Sequence, residues 1–587
     1  MKKSLDRGQF WDTFKSRVVV VTAIPPGRSR DLAQQANQAE GSGDASLRSR
    51  AELSALFDLL LDGRSQAPGQ PQLKLLDKDA ALTSAGQAIQ DYLAASRGKD
   101  EIFEQAMYMV HVTGWPQQDM KPEQAVRSSG DARLALWRTD PGDERHIAPP
   151  DAEGVLLATS TFSLMNSGNR TLRAPKRSWK VNFDLKGGDD RLAGMSRLNL
   201  KSMVNDPSQM RESLAWRLFE RAGVPASRHT YAKLGINADY MGLFFFVEQV
   251  DEKFLRDHFG KNDGGNLYKA YCGDVGCATL ERRVGADGDD RGFQYFTPGS
   301  SDRTYRLKTN EDDPSYNTYD DLAALIRTVN GVGLPGADER FRSDAFRESV
   351  ERMMNARCLL RWAGANLLLG SWDNYFATPA NYYLYNSGRK GGAKDFVQSP
   401  YFTLIPWDYD NSLGIDYFNT EWQYTDLLDW ASSTANYCKK VGYPGRTSPT
   451  PLVQNLLRNG DFRRYYLDHL EHLLDTEFNP EAISAAVGSE GGDGLWERVR
   501  HAAYLESHTP YDPPFTGRQF SNEEVYQAGL RQQSLRHGEA GIEGIVNFVR
   551  MRHDSARKQL AELRKTDPAG SSGASFSGAM EPLPARA

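Results

Sequence analysis

Residues 371–414, SWDNYFATPANYYLYNSGRKGGAKDFVQSPYFTLIPWDYDNSLG, constrain the fold of this chain more than any other stretch. A long apolar helical run delivers Ser371-Trp372-Asp373, with Asn374 beside it. A second acidic pair, Asp408 and Asp410, follows directly on the apolar run Phe402, Leu404, Ile405, Pro406 and Trp407. Between the two, Asn381, Tyr383 and Tyr385 alternate as in a short strand. Carboxylates at the ends of apolar elements are fixed by the packing behind them and can still face a cleft. That placement suits divalent-metal binding, phosphoryl transfer or carboxylate-assisted hydrolysis.

Three upstream segments supply possible partners. In KRSWKVNF, residues Trp179, Val181 and Phe183 share one strand face while Lys180, Asn182 and Asp184 share the other. Lys180 is therefore a candidate for neutralising nucleotide phosphates, or else a solvent-facing lysine on an edge strand. Residues 206–223 read as a helix with Asp206 as cap, Pro207 at its first position and Gly223 at its end. Met210, Leu214 and Leu218 line its inner face, and Glu212 stands off that stripe as a possible partner for Lys180, or as a member of a surface pair. Residues 229–255 read as a hairpin turning at Asn237-Ala238-Asp239 and running into a helix, with Glu248 and Asp251 at the exit of the second strand. That exit is a place where a planar base could be held.

The remaining signals are weaker. A net charge of -6 and a pI near 6.0 give no electrostatic footprint for nucleic acid. Cys272 and Cys277 can bridge a loop or stay reduced, and no His or Cys cluster accompanies them as a metal site. Residues 272–317 are turn-rich and read as a solvated lid or surface loop. Helices are expected at about 53–60, 82–97, 319–330, 341–370, 451–477, 496–506 and 523–564. Residues 28–50 and 567–587 are polar arms with little reason to fold. The apolar run 18–21 is too short for a signal segment or a membrane span. A cytoplasmic location is expected, with non-classical secretion or surface association as the alternative.

The ordered series KRSWKVNF, NDPSQMRESLAWRLFERAG, YAKLGINADYMGLFFFVEQVDEKFL, LYK, SWDNY, NYYLY and IPWDYDNSLG resembles the CotH kinase family, spore-coat and related proteins with an atypical protein-kinase-like fold. The resemblance implies an α+β, two-lobed core with insertions and a helical C-terminal part. It implies an ATP-dependent phosphotransferase acting on a protein hydroxyl, commonly serine, with Mg²⁺ or Mn²⁺. By the same resemblance Lys180 would hold phosphate, Asp373 would be the catalytic aspartate, and Asp408 and Asp410 would bind metal. Asn381 is a further candidate for the metal shell, and Glu212 and Glu248 for the nucleotide side. The corresponding domain plan is an arm at 1–50, a mixed extension at 51–159, the core at 160–510, a helical extension at 511–566 and a tail at 567–587. Two other classes remain open: a kinase-like adhesion or scaffold protein, suggested by the long N-terminal region and the aromatics at 422–444, and a glycosidase, since paired acids also suit sugar chemistry.

Overall fold

A computed structural model of the chain describes, apart from positions 238, 261–262, 274–275, 418 and 538–539, residues 107–115, 133–139, 162–167, 176–183, 195–282, 303–388, 396–428, 450–506 and 520–566, with short strands at 17–21, 73–77, 126–127 and 156–157. The expected helices at 53–60 and 82–97, the arm at 28–50 and the tail at 567–587 lie outside the described residues. Residues 1–105 form one unit, in which β1 (Arg17–Val21) pairs antiparallel with β2 (Leu73–Asp77). Residues 106–587 form the other, a mixed α+β structure that carries every candidate residue.

Nine strands of this second unit make one sheet: β3 (Met107–Thr113), β4 (Val126–Arg127), β5 (Arg133–Thr139), β6 (Leu156–Leu157), β7 (Ser163–Ser167), β8 (Ser178–Asn182), β9 (Arg197–Lys201), β10 (His229–Ile236) and β11 (Asp239–Val247). Their order is β4-β7-β8-β9-β11-β10-β3-β5-β6. The β10–β11 hairpin turns at Asn237, whose φ of 54° is the left-handed conformation that asparagine tolerates. The helix α1 (Arg211–Arg221) leaves β9 and packs Leu214, Trp216, Leu218 and Phe219 into the core. It begins later than the sequence suggests. Asp206 turns its carboxylate onto the Ser208 and Arg211 N–H groups, so residues 206–210 are a tight turn ahead of the helix. Gly223 ends it at φ 67°.

A second sheet, β15-β12-β16-β17, is built from β12 (Asn266–Ala270), β15 (Tyr305–Leu307), β16 (Tyr382–Asn386) and β17 (Phe402–Pro406). The helix α2 (Glu252–Phe259), capped by Asp251, covers one of its faces through Phe254 and Leu255 against Tyr383, Tyr385 and Ile405. Part of the expected surface loop at 272–317 is core instead. The short strands β13 (Cys272–Gly273) and β14 (Gly276–Cys277) are closed by a Cys272–Cys277 disulfide. Ala278, Leu280 and Tyr305 are fully buried, because Tyr382 and Tyr375 donate their hydroxyls to the Ala278 and Thr279 carbonyls.

The helices α3 (Asp320–Val329), α4 (Asp344–Met353) and α5 (Ala356–Leu368) precede the acidic stretch. The single helix expected over 341–370 is broken at Met354, which bridges to Phe402, and Asn355 caps the second piece through the Cys358 N–H. Beyond the acidic stretch come β18 (Ile415–Asp416) and then α6 (Pro451–Leu457), α7 (Gly460–Thr476), α8 (Pro480–Val487), α9 (Leu495–Leu505) and α10 (Asn522–Gly529). The expected helix at 523–564 is also interrupted: β19 (Leu535–His537) and β20 (Ala540–Ile542) intervene before α11 (Ile545–Thr566). The strand β20 lies between β18 and β19, which ties the C-terminal segment to the backbone just past Asp410. Trp422, first of the aromatics at 422–444 that suggest an adhesion or scaffold class, is buried and stacks on Trp372.

Candidate functional site

The site forms where β9, α1 and the turn after β17 meet. Lys201 is the last residue of β9, and its ammonium ion-pairs with both Glu212 of α1 and Asp408. Burial alone would lower the lysine pKa. The Asp408 and Glu212 carboxylates outweigh that and hold it well above its ordinary value. Glu212 is buried, and its Oε1 also accepts from the Trp216 indole and the Tyr409 N–H, each at 3.3 Å. The other carboxylate oxygen has no partner. Burial and Asp408 push the Glu212 carboxyl up despite Lys201.

The chain turns sharply after Trp407, with Asp408 at φ 65°. That conformation is uncommon for a residue other than glycine and is concentrated at functional sites. It turns Asp410 inward as well. Burial first, then the neighbouring Asp408, Glu212 and Asp373, drive the Asp410 carboxyl far above the usual carboxylate range. Asp373 joins this group from the end of α5: its Oδ2 accepts from Asn411 Nδ2 at 3.2 Å, and Asn411 is bonded in turn by Asn205. Asn381, at φ 55°, donates from its side chain to the Asp373 carbonyl at 2.7 Å, and its own carbonyl accepts from Trp407 N–H. Asn374 braces the loop from beneath, fully buried and donating to Asn366 and Ser371.

Four carboxylates and one lysine thus share a small volume with an excess of negative charge. Their oxygens are the donor set a hard divalent cation takes. Among the described residues no group of three or more acidic, His or Cys side chains is gathered tightly enough to hold an ion alone. Mg²⁺ in phosphoryl-transfer sites uses one or two carboxylates together with substrate phosphates, so the donor set fits that mode.

Lys180 and Glu248, both expected at the site, stand apart from this group. Glu212 pairs with Lys201 and not with Lys180, which lies on the neighbouring strand opposite Asn199. Glu248 has its carboxylate engaged by the Arg228 backbone and guanidinium at 2.5–3.1 Å, with His258 at 3.7 Å. Burial would raise its pKa, but the hydrogen bonds from His258 and Arg228 hold it at about 2. Its folded pKa is depressed, so its contribution is present above the ordinary value of 4.5 and is lost as pH falls toward about 2. Glu248→Gln is expected to cost about 2 kcal/mol at neutral pH, the worth of a charge-assisted hydrogen bond. Urea titrations of both proteins should converge as the pH drops through that window; a gap independent of pH would refute the assignment.

Lys201 carries no signal of its own in the sequence. RLNLK alternates polar and apolar residues just as SWKVN does. The usable clue was position: a strand-ending lysine ahead of the turn that leads into the Glu212 helix.

A family model described as CotH kinase protein matches residues 165–525, more than half of the chain. The chain belongs to this family. The CotH match spans β7 to α10 and so contains every residue of the site. Among curated proteins, inner spore coat protein H of Bacillus subtilis is 23% identical over 54% of this chain and 72% of its own length. Invasin CotH2 of Rhizopus delemar is 22% identical over 58% of this chain and 51% of its own length. Invasin CotH3 of the same organism is 22% identical over 72% of this chain and 63% of its own length. The chain thus spans between half and three quarters of these CotH relatives, one a spore-coat protein and two invasins by name. Membership carries a general kinase-like character.

Proposed function

We propose that this CotH chain is a two-lobed protein kinase that transfers the γ-phosphate of ATP to a protein hydroxyl, serine by family analogy, with Mg²⁺ or Mn²⁺. The observation that supports it best is the convergence of Lys201, Glu212 and Asp408 from three elements: a strand lysine paired to a helix glutamate beside a metal-type aspartate is the constellation protein kinases use. Glu212 fixes the direction of the Lys201 ammonium, which then meets phosphate oxygens. Asp408, with Asp410 and Asn381, would hold the metal, whose charge would neutralise the phosphate oxygens. Asp373, oriented by Asn411 and backed by Asn381, takes the proton of the entering hydroxyl. Lys180 supplies further positive charge on the same sheet face.

The disulfide Cys272–Cys277 favours an oxidising compartment, and with it surface association over the cytoplasm. No described helix is long and apolar enough to cross a membrane. Among the described residues the exposed large apolar side chains are Val332 and Tyr424, and most of the aromatic segment at 422–444 that suggests adhesion lies outside the described residues.

The test is label transfer from γ-labelled ATP to protein in the presence of Mg²⁺ or Mn²⁺. Asp373→Asn should lose about 10²–10⁴-fold in rate with ATP binding retained, the scale of general-base catalysis. Unchanged transfer by a folded Asp373→Asn protein would remove the residue from the mechanism.

A further inference from the structure

A second set of charges lies beside the Lys201 group and is of the opposite sign. On β8, Lys180 faces Asn199 across the ladder, so it is a diagonal neighbour of Lys201 on one sheet face, about 7–8 Å apart at the backbone. Arg197 is on that face too, two residues before Asn199. From the other sheet Lys269 of β12 places its ammonium 5.6 Å from the Tyr383 ring and 5.9 Å from the Trp407 ring, one residue from Asp408. Lys308 flanks that strand through its N–H bond to the Leu267 carbonyl. The four cations sense one another. Burial, then Lys269, Arg197 and Lys308, push the Lys180 ammonium down to about 8.

Among the described residues, three of these four cations have no counter-charge. Among the described residues no carboxylate pairs with Lys180, Arg197 or Lys269, and Lys308 has Glu311 at 3.9 Å. The chain as a whole carries a net charge of -6, so clustering unpaired cations at a half-buried seam is not a by-product of composition. Like charges held together without a partner destabilise the free protein, and an anion relieves them.

We propose that Lys180, Arg197, Lys269 and Lys308 form a subsite for the phosphate chain of the donor, which is therefore selected by its polyphosphate more than by its base. The inference rests on the phosphoryl-transfer reading and extends it to donor specificity. A triphosphate whose terminal group meets Lys201 and Asp408 runs along the shared face toward Lys180 and Lys269, and the nucleoside is left at the outer end beside Arg197 and Lys308. A base there meets the Arg197 guanidinium and the Lys308 ammonium, which can lie over the face of any purine.

The test is calorimetric titration of the full chain with the magnesium salts of ATP, GTP and inorganic tripolyphosphate, and with adenosine. Tripolyphosphate and GTP should bind about as tightly as ATP, and adenosine should bind undetectably. Lys180→Met and Lys269→Met should each weaken tripolyphosphate by about tenfold or more, the worth of one charge-assisted hydrogen bond. The Lys180→Met protein should also melt higher than wild type without ligand, since a buried, mutually repelled charge is removed. Arg197→Gln, at an exposed position, repeats the binding test where folding is not at stake. Adenosine binding on a par with ATP, tripolyphosphate binding unchanged in the variants, or displacement of an acidic peptide in place of tripolyphosphate would each overturn the proposal. Tripolyphosphate bound through these cations without any label transfer would leave the subsite standing and remove the kinase reading; transfer by a protein that ignores tripolyphosphate would do the reverse.

Discussion

Replacing Lys201 by methionine is expected to lower phosphoryl transfer by about 10²–10³-fold, the scale measured when one preorganised donor to a developing negative charge is lost. The effect has two sources. The ammonium is removed from the phosphate side, and Glu212 and Asp408 lose the cation they both pair with, which also offsets the charge of Asp410. The second source gives a specific signature. With Lys201 gone, Asp408 and Glu212 repel and attract a divalent ion more strongly, so activity should saturate at a lower concentration of Mg²⁺ or Mn²⁺ while the maximal rate stays low. Glu212→Gln keeps the lysine and its size but weakens its orientation, and should fall between wild type and Lys201→Met. Rates measured across a metal titration check this; a Lys201→Met protein as active as wild type would dismiss the assignment of the phosphate-contacting lysine.

The largest effect on stability is expected at Arg211. Its guanidinium is fully buried, bonded to Asp206 at 2.5 Å, to the Leu413 carbonyl at 3.2 Å and to the Glu543 carbonyl at 2.5 Å. Arg211→Met leaves Asp206 charged and buried, at a cost of about 3–5 kcal/mol. A double variant, Asp206→Leu with Arg211→Met, removes both charges and should recover part of that loss. The recovery in denaturation midpoint measures the coupling of the two residues. If the double variant is as unstable as the sum of the singles, the pair is not what holds the turn.

The contrast between Lys201 and Lys180 shows what local pattern carries. Alternation in WKVNF marked a strand and the face on which Lys180 stands, and both agree with β8. Apolar runs ahead of Asp373 and Asp408 marked elements that deliver carboxylates, and α5 and β17 do so. Lys180 in the middle of β8 and Lys201 at the end of β9 both stand on the polar face of similarly alternating strands, so strand order and the approach of α1 decide which one meets Glu212. That information is long-range. The breaks at Met354 and at 530–544 were missed for the same reason. Each depends on a partner far along the chain, Phe402 in one case and Ile415 in the other, that periodicity does not register. Glu248 illustrates the opposite limit: its position at a strand exit was legible, but the side chain belongs to Arg228, twenty residues upstream.

Past the acidic turn, Gly414 adopts φ 98°, and a Cβ there would come within 2.7 Å of the Glu543 side chain. Arg211, Leu413, Gly414 and Glu543 therefore lock together, and β20 closes over β18 beside them. This fixes an order in time. Domains fold as units during synthesis, N-terminal parts first, and contacts of long sequence separation form last. The segment holding Lys201 and Glu212 leaves the ribosome more than three hundred residues before the strand that clamps it. The cleft is completed only once that strand has emerged, so a growing chain passes most of its translation without a finished site.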